Sequence, residues 1–281
     1  VSHPGQPPAE RPGPDHDVER ALESAELSVE GRILVSSNAA LLVSLTGDSL
    51  LGGVEPVHAI YKPVTRERPL WDYPDGTLAG RERAAYLVSE LGGWGVVPPT
   101  VFRTDGPMGP GSVQLWVDGD SSSVVDIIAP GSVPDGWCAV IEGSDQHGEP
   151  VLLVHTTDPA TRRIAVLDLV LNTSDRKGSH LIRSAAAADH VWAVDHGVSL
   201  GVEPKVRTVL WGFVGQPLHE ADLEPVRRLR STLEDARSDE LAEHLTQDEL
   251  AALAERVDDL LDRPVFPGPS GDWPAIPWPA L

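Results

Sequence analysis

The sequence predicts an α+β protein: a small antiparallel sheet carrying one helix, followed by a mainly helical part. Three observations carry this. Short stretches before residue 65 alternate apolar and polar residues, as half-buried strands do. A single run of helical spacing, Arg81 to Leu91, sits between those stretches and two more of the same kind. After Val117 the texture changes: a Gly-, Ser-, Asp- and Pro-rich stretch gives way to a buried helix before Leu171, and helical segments follow over 224–261.

The elements follow in order. Residues 1–16 are Pro-rich and polar and predict a disordered tail. Asp17 is placed to cap a short helix with Val18, Leu22 and Ala25 on one face. Strands are expected over Leu27 to Val35, Leu41 to Leu45 and His58 to Val64, the first two joined at Ser36-Ser37-Asn38. Thr65 to Gly80 reads as a loop, and the helix after it stops at Gly92-Gly93. Val101 to Arg103 and Ser112 to Val117 complete the sheet, giving a unit over 17–117 and a second over 118–281. Asp118 to Gly148 is Gly, Ser, Asp and Pro-rich, with apolar islands at Val124 to Ile128 and Cys138 to Ile141. Asp158 followed by Pro159 marks a helix start, and Ile164, Leu167, Val170 and Leu171 make it a buried helix. Ser179 to Arg183 and Val191 to Val194 read as a hairpin. Helices are expected over Glu224 to Leu233, Ser238 to Leu245 and Asp248 to Leu261, then an extended Pro-rich tail packing Trp273 and Trp278 on the body.

Composition narrows the function classes. Asp and Glu outnumber Lys and Arg by 43 to 22, a formal charge of −21, which repels nucleic acid and anionic lipid surfaces alike. No nucleic-acid partner is expected, and membrane-surface contact is disfavoured. The single cysteine, Cys138, excludes an internal disulfide and a cysteine zinc cage. No apolar run approaches the ~18 residues of a membrane span, and the N-terminal stretch lacks a signal peptide's apolar core, so a cytoplasmic protein is expected.

The chemistry concentrates in Leu171 to Arg183, LNTSDRKGSHLIR, and in WAVDHG at Trp192 to Gly197. Asp175 stands past the end of the buried helix, with Lys177 two residues on and His180 five residues on. Protein kinases place a catalytic Asp, a Lys and a metal-binding Asn at this spacing, and a second metal-binding Asp before a Gly. In that pattern Asp175 orients the acceptor hydroxyl and Lys177 neutralises the moving phosphoryl group. His180 and Asp195 hold Mg²⁺ or Mn²⁺, imidazole suiting Mn²⁺ or Zn²⁺ better than Mg²⁺. Upstream, Lys62 on a strand and Glu82 on the helix are spaced for the ion pair that grips nucleotide phosphates, with Glu90 the other candidate on that helix. Each part also has an ordinary reading: a surface ion pair for Asp175, a hydrogen-bonded histidine for His180, a solvated face for Glu82.

IYKP, RERAAYLVSELG, LNTSDRKGSHLI and WAVDHG, in this order, resemble the atypical kinases of the phosphatidylinositol 3-/4-kinase type. The resemblance is to the type II phosphatidylinositol 4-kinases and their HipA-type bacterial relatives, in an actinobacterial branch, over roughly Leu27 to Leu200. It implies a two-lobed protein-kinase-like fold and ATP as cofactor. It also implies a hinge at Gln114, Leu115, Trp116 and Val117 that takes the adenine, and a phosphate-covering turn at Ser36, Ser37 and Asn38. Two departures stand out: His180 where the group has Asn, and a covering turn without its glycines.

The leading expectation is an ATP-dependent phosphotransferase acting on a hydroxyl of a protein, small molecule or lipid head group. Alternatives on the same fold are AMP transfer and a pseudokinase scaffold. Asp168, one turn before the site, is expected to be structural, and Asp118 and Asp120 follow the hinge.

Overall fold

Side-chain alternation decides the first half of the molecule. The computed structural model describes residues 14–33, 40–46, 57–131 and 133–281. Helix α1 (Pro14–Ser24) precedes strands β1 (Glu26–Arg32), β2 (Leu41–Thr46) and β3 (Val57–Pro63). Helix α2 (Leu78–Gly92) and the hairpin β4 (Thr100–Gly106) and β5 (Gly109–Leu115) follow. The strands form one five-stranded sheet in the order β1-β2-β3-β5-β4, every neighbouring pair antiparallel. Ala21, Leu22, Val43, Ala59, Tyr61, Val101 and Val113 bury one face of it under α1.

Two boundaries differ from expectation. Helix α1 begins at Pro14 rather than Asp17, since a proline fits the first turn without needing its missing N–H. The expected tail therefore loses residues 14–16, and its remainder lies outside the described residues. Helix α2 begins three residues early because Glu67, from the preceding loop, accepts from Leu78 N at 3.1 Å and Ala79 N at 2.8 Å. A carboxylate at a helix N-terminus satisfies orphan N–H groups and complements the dipole. Gly93, at φ 75°, ends the helix in the left-handed region as expected.

The second half is richer in strands than its composition suggested. The strands are β6 (Gly119–Asp120), β7 (Val125–Ile128), β8 (Trp137–Ser144), β9 (Pro150–Thr156), β10 (Leu181–Ser184) and β11 (Val191–Ala193). They build two three-stranded sheets, β7-β9-β8 and β11-β10-β6. The apolar islands near 125 and 138 are thus strands, paired through β9, which lay outside the expected elements. Helices α3 (Pro159–Leu171), α4 (Glu220–Thr232) and α5 (Gln247–Asp262) supply most of the larger core. Helix α3 starts as expected, Asp158 accepting from Thr161 N at 2.9 Å, and is buried continuously from Ile164 to Leu171. Residues 236–243 form 3₁₀ turns instead of the expected α-helix. Of the tail tryptophans, Trp273 stacks on Trp71 with ring centres 5.4 Å apart, whereas Trp278 is 86% exposed and does not pack.

Helix α2 packs into this larger core through Ala84, Ala85, Tyr86 and Val88. Arg81 pairs with Glu249 of α5, and Arg83 with Glu240 and Glu19, so the helix is fixed on both flanks. Thr246 and Glu249 form a capping box at the start of α5. Thr246→Ala is expected to lower unfolding stability by about 1 kcal/mol, measured by urea titration.

Candidate active site

The end of β3 delivers Lys62 into a cleft beneath the five-stranded sheet. Its ammonium bonds Glu82 of α2 and, at 2.8 Å, Asp195 Oδ1, from the turn after β11. Burial works against the Lys62 charge, but the Asp195 and Glu82 carboxylates outweigh it and hold the pKa above the ordinary lysine value. Glu82 is 2% exposed, which removes the reading of a solvated helix face, and Glu90 lies exposed at the far end of α2. Both Glu82 oxygens also accept backbone N–H groups, from His196 at 2.9 Å and Gly197 at 3.0 Å. One carboxylate thus joins sheet, helix and the Asp-His-Gly turn.

Asp195 sits in the left-handed region, φ 62°, uncommon for a residue with a side chain. Burial alone would raise its pKa, yet the Lys62 ammonium holds it well below the usual carboxylate range. His180 Nε2 faces Asp195 Oδ2 at 3.4 Å. Burial, and the cations Arg176, Lys177 and Lys62, push the His180 pKa down to about 4 against the opposing pull of Asp195. The ring is therefore neutral near pH 7, the state in which imidazole ligates a metal. A neutral nitrogen and an ionised carboxylate oxygen facing each other at this spacing suit two neighbouring ligands of one small cation. No group of three or more His, Cys, Asp or Glu side chains makes a metal cage among the described residues. Any ion held here would complete its coordination with phosphate oxygens and water.

The turn after α3 carries the other half. Asn172 ends the helix at φ 52°, and its side-chain N–H₂ bonds the Gly201 and Glu203 carbonyls. Asp175 Oδ2 pairs with Lys177 Nζ at 3.0 Å. Burial raises the Asp175 pKa above the ordinary carboxylate value, Lys177 opposes the rise and the charge on Asp195 adds to it. A raised carboxylate pKa moves that group toward the range useful to a general base.

Between these halves lies Arg176, completely buried. It pairs with Asp168 of α3 at 2.9 Å and donates to Val194 O at 2.7 Å. Asp168, also completely buried, takes the Thr208 hydroxyl at 2.9 Å. Asp168 is thus structural, as its place in the sequence implied. The sequence gives no sign of this burial at Arg176, since a charged residue in a turn reads as exposed. The β3–α2 loop reaches the same turn: Tyr73 Oη lies 3.1 Å from Ser174 Oγ, and Asp72 pairs with Lys205. No sequence pattern signalled that contact.

An open cleft of about 420 Å³ is lined by Lys62, Gln114, Trp116, Val117, His180 and Asp195, all singled out from sequence. Leu115 and Asp118, also named from sequence, line it too, together with residues that were not, among them Ile60, Gly119, Ser121 and Ile182. Gly119 is there from necessity: a Cβ would stand 2.0 Å from the Arg183 carbonyl of the paired strand. Trp116 is neither core nor free, being 42% exposed with its indole N–H on Asp118 Oδ1 at 2.8 Å. Gln114 is buried and bonds Thr100 Oγ1 at 2.8 Å. Ser36, Ser37 and Asn38 lie outside the described residues. Asp120, following β5, caps its own turn through Ser122.

No protein-family model matches the chain. Protein Rv2133c of Mycobacterium tuberculosis (strain ATCC 25618 / H37Rv) is 43% identical over 275 residues, covering 94% of this chain and 96% of that protein. The chain belongs to the family of protein Rv2133c. Among solved structures, the Golgi casein kinase with Mn/ADP bound is similar with a TM-score of 0.55 and 14% identity, over 88% of this chain and 74% of that one. A second structure of the Golgi casein kinase gives 0.54 and 13%, over 88% and 73%. The α+β fold is therefore kinase-like, with the five-stranded sheet on one side of the cleft and the helical core on the other.

Because Arg176 and Asp168 are both without solvent, removing one leaves the other charge buried. Asp168→Ala should cost about 3–5 kcal/mol of stability, seen as a lowered urea midpoint. Asp168→Ala with Arg176→Met should recover part of that loss.

Proposed function

We propose that this chain is an ATP-dependent phosphotransferase moving the γ-phosphate to a hydroxyl acceptor. The observation that carries the reading is the Lys62 ammonium held between Glu82 and Asp195, with Asp175 close enough to Asp195 for their charges to interact. Lys62, Glu82 and Asp195, from three separate parts of the sequence, bond one another, and Asp175 lies within electrostatic reach of Asp195; this supports phosphoryl transfer, where catalysis is mainly positioning and charge neutralisation. The order of their motifs also supports kinship with the type II phosphatidylinositol 4-kinase and HipA-type group.

The cleft beside Gln114, Trp116 and Val117 would take the adenine. Lys62 would bind the α- and β-phosphates, oriented by Glu82. Asp195 and His180 would hold a divalent ion, Mn²⁺ in preference to Mg²⁺ because one ligand is imidazole; bound there, the ion supplies positive charge to the phosphates. Asp175 would accept the hydroxyl proton, and Lys177 would leave it to meet the incoming phosphoryl charge. The second reading, a nucleotide-binding pseudokinase, is favoured by the same ion pair, which occupies the Lys177 ammonium with Asp175.

Four outcomes test this. ATP with Mn²⁺ should raise the melting temperature, and Asp195→Ala or Lys62→Met should abolish the shift; no shift in the native protein would sink the reading. Label from γ-labelled ATP should enter an extract acceptor and label from α-labelled ATP should not, the reverse indicating AMP transfer. Asp175→Asn should keep nucleotide binding and lose about 10²–10⁴ in rate. Because the base must be ionised and burial raises its pKa, the native rate should fall on acidification at a higher pH than an ordinary carboxylate would give.

A further inference from the structure

The Asp-His-Gly turn holds a histidine that the proposed roles leave unused. His196 is completely buried, and its backbone is tied at both ends: N–H to Glu82 Oε2 at 2.9 Å, and C=O from the Ser199 hydroxyl at 2.6 Å. Its ring nitrogen Nε2 lies 2.8 Å from Arg176 Nη2. A guanidinium has five N–H donors and no acceptor, so this contact is a hydrogen bond only if Nε2 presents a lone pair. The hydrogen of the neutral ring is then on Nδ1, which is buried and has no partner among the described residues. An orphaned buried donor is costly, and an apolar ring of similar shape would avoid it. What His196 provides and an apolar ring cannot is an acceptor for Arg176.

Arg176 has three further attachments: both Asp168 oxygens, and the Val194 carbonyl directly before Asp195. The guanidinium therefore grips the chain on both sides of Asp195, at Val194 O and His196 Nε2. Asp195 itself occupies a left-handed backbone conformation that needs holding. Arg176 is also the residue directly after Asp175. A displacement of the Asp195 turn relative to the Asp175 turn must break one of these two bonds.

We infer that His196 is a positioning residue whose Nε2 accepts from Arg176 and so fixes Asp195 against the turn that carries Asp175. The inference rests on the proposed nucleotide site, since it assigns His196 to the geometry of that site's metal-facing carboxylate. It also gives the His of Asp-His-Gly a purpose distinct from that of His180, which faces Asp195 from the cleft side.

Two measurements test it. Nitrogen NMR of ¹⁵N-histidine-labelled protein should show His196 with Nε2 unprotonated and Nδ1 carrying the hydrogen, with or without nucleotide. Dissociation constants for Mn²⁺·ATP should then be compared across three variants by calorimetry. Gln ends its carbonyl near the place of Nε2, whereas Asn ends near Nδ1 and Leu offers no acceptor. His196→Gln should bind within about threefold of the native protein, and His196→Asn and His196→Leu should bind about tenfold or more weakly. A purely structural ring would not be rescued by Gln over the equally polar Asn. Should Leu fail to fold, the Gln and Asn pair decides. Nε2 found protonated, native affinity in the Asn or Leu variants, or Gln no better than Asn would overturn the inference while nucleotide binding stands. Failure of the native protein to bind Mn²⁺·ATP would remove the nucleotide reading and this inference with it.

Discussion

The Arg176 guanidinium, wholly out of water, is the interaction around which the second half of the molecule closes. Each of its three nitrogens has a fixed acceptor in place of water: the Asp168 carboxylate, the Val194 carbonyl and the His196 ring. Its backbone also pairs with the segment 207–209, through Arg176 N to Arg207 O and Val209 N to Arg176 O, both near 3 Å. An unpaired charge at that depth would cost several kcal/mol, so helix α3, the two turns and this segment adopt one mutual arrangement or lose them all. The candidate catalytic and metal-facing residues inherit their spacing from this constraint.

A second constraint brings the sheet side to the same place. Helix α2 buries its small residues in the larger core and is pinned by Arg81 and Arg83 to α5, α1 and the 3₁₀ segment. Glu82, between the two arginines, is left facing the cleft, where it takes two backbone N–H groups and the Lys62 ammonium. Lys62 then has little freedom, and its second bond, to Asp195, spans the cleft. Arg176 and Asp168 cancel each other out of water, whereas Lys62 against Glu82 and Asp195 leaves one negative charge in excess, spread over the backbone N–H groups that Glu82 accepts.

Much of this was legible in the sequence, and the reasons differ by element. The order of sheet, helix and helical core follows from periodicity, and Asp158-Pro159 and Gly92-Gly93 marked helix ends because caps are local chemistry. Strand β9 escaped because VLLVH is a short continuous apolar run without alternation, and its partners β7 and β8 lie in a Gly- and Ser-rich stretch. The 3₁₀ turns at 236–243 carry helical spacing and could not be told from an α-helix by pattern alone. Trp278 is expected to pack on the body like Trp273, but the extended tail leaves it 86% exposed.

The sequence by itself determined which chemical groups are present and in what order: Lys62, Glu82, Asp175, Lys177, His180 and Asp195. Order and spacing along a turn are local properties, set by backbone geometry within a few residues. Only the tertiary structure decided that Lys62 meets both Glu82 and Asp195, that His180 is neutral, and that Arg176 and His196 are buried partners. Those facts depend on desolvation and on contacts between residues up to 133 positions apart. Such contacts are selected by the packing of whole helices and sheets, and no local stretch of sequence encodes them.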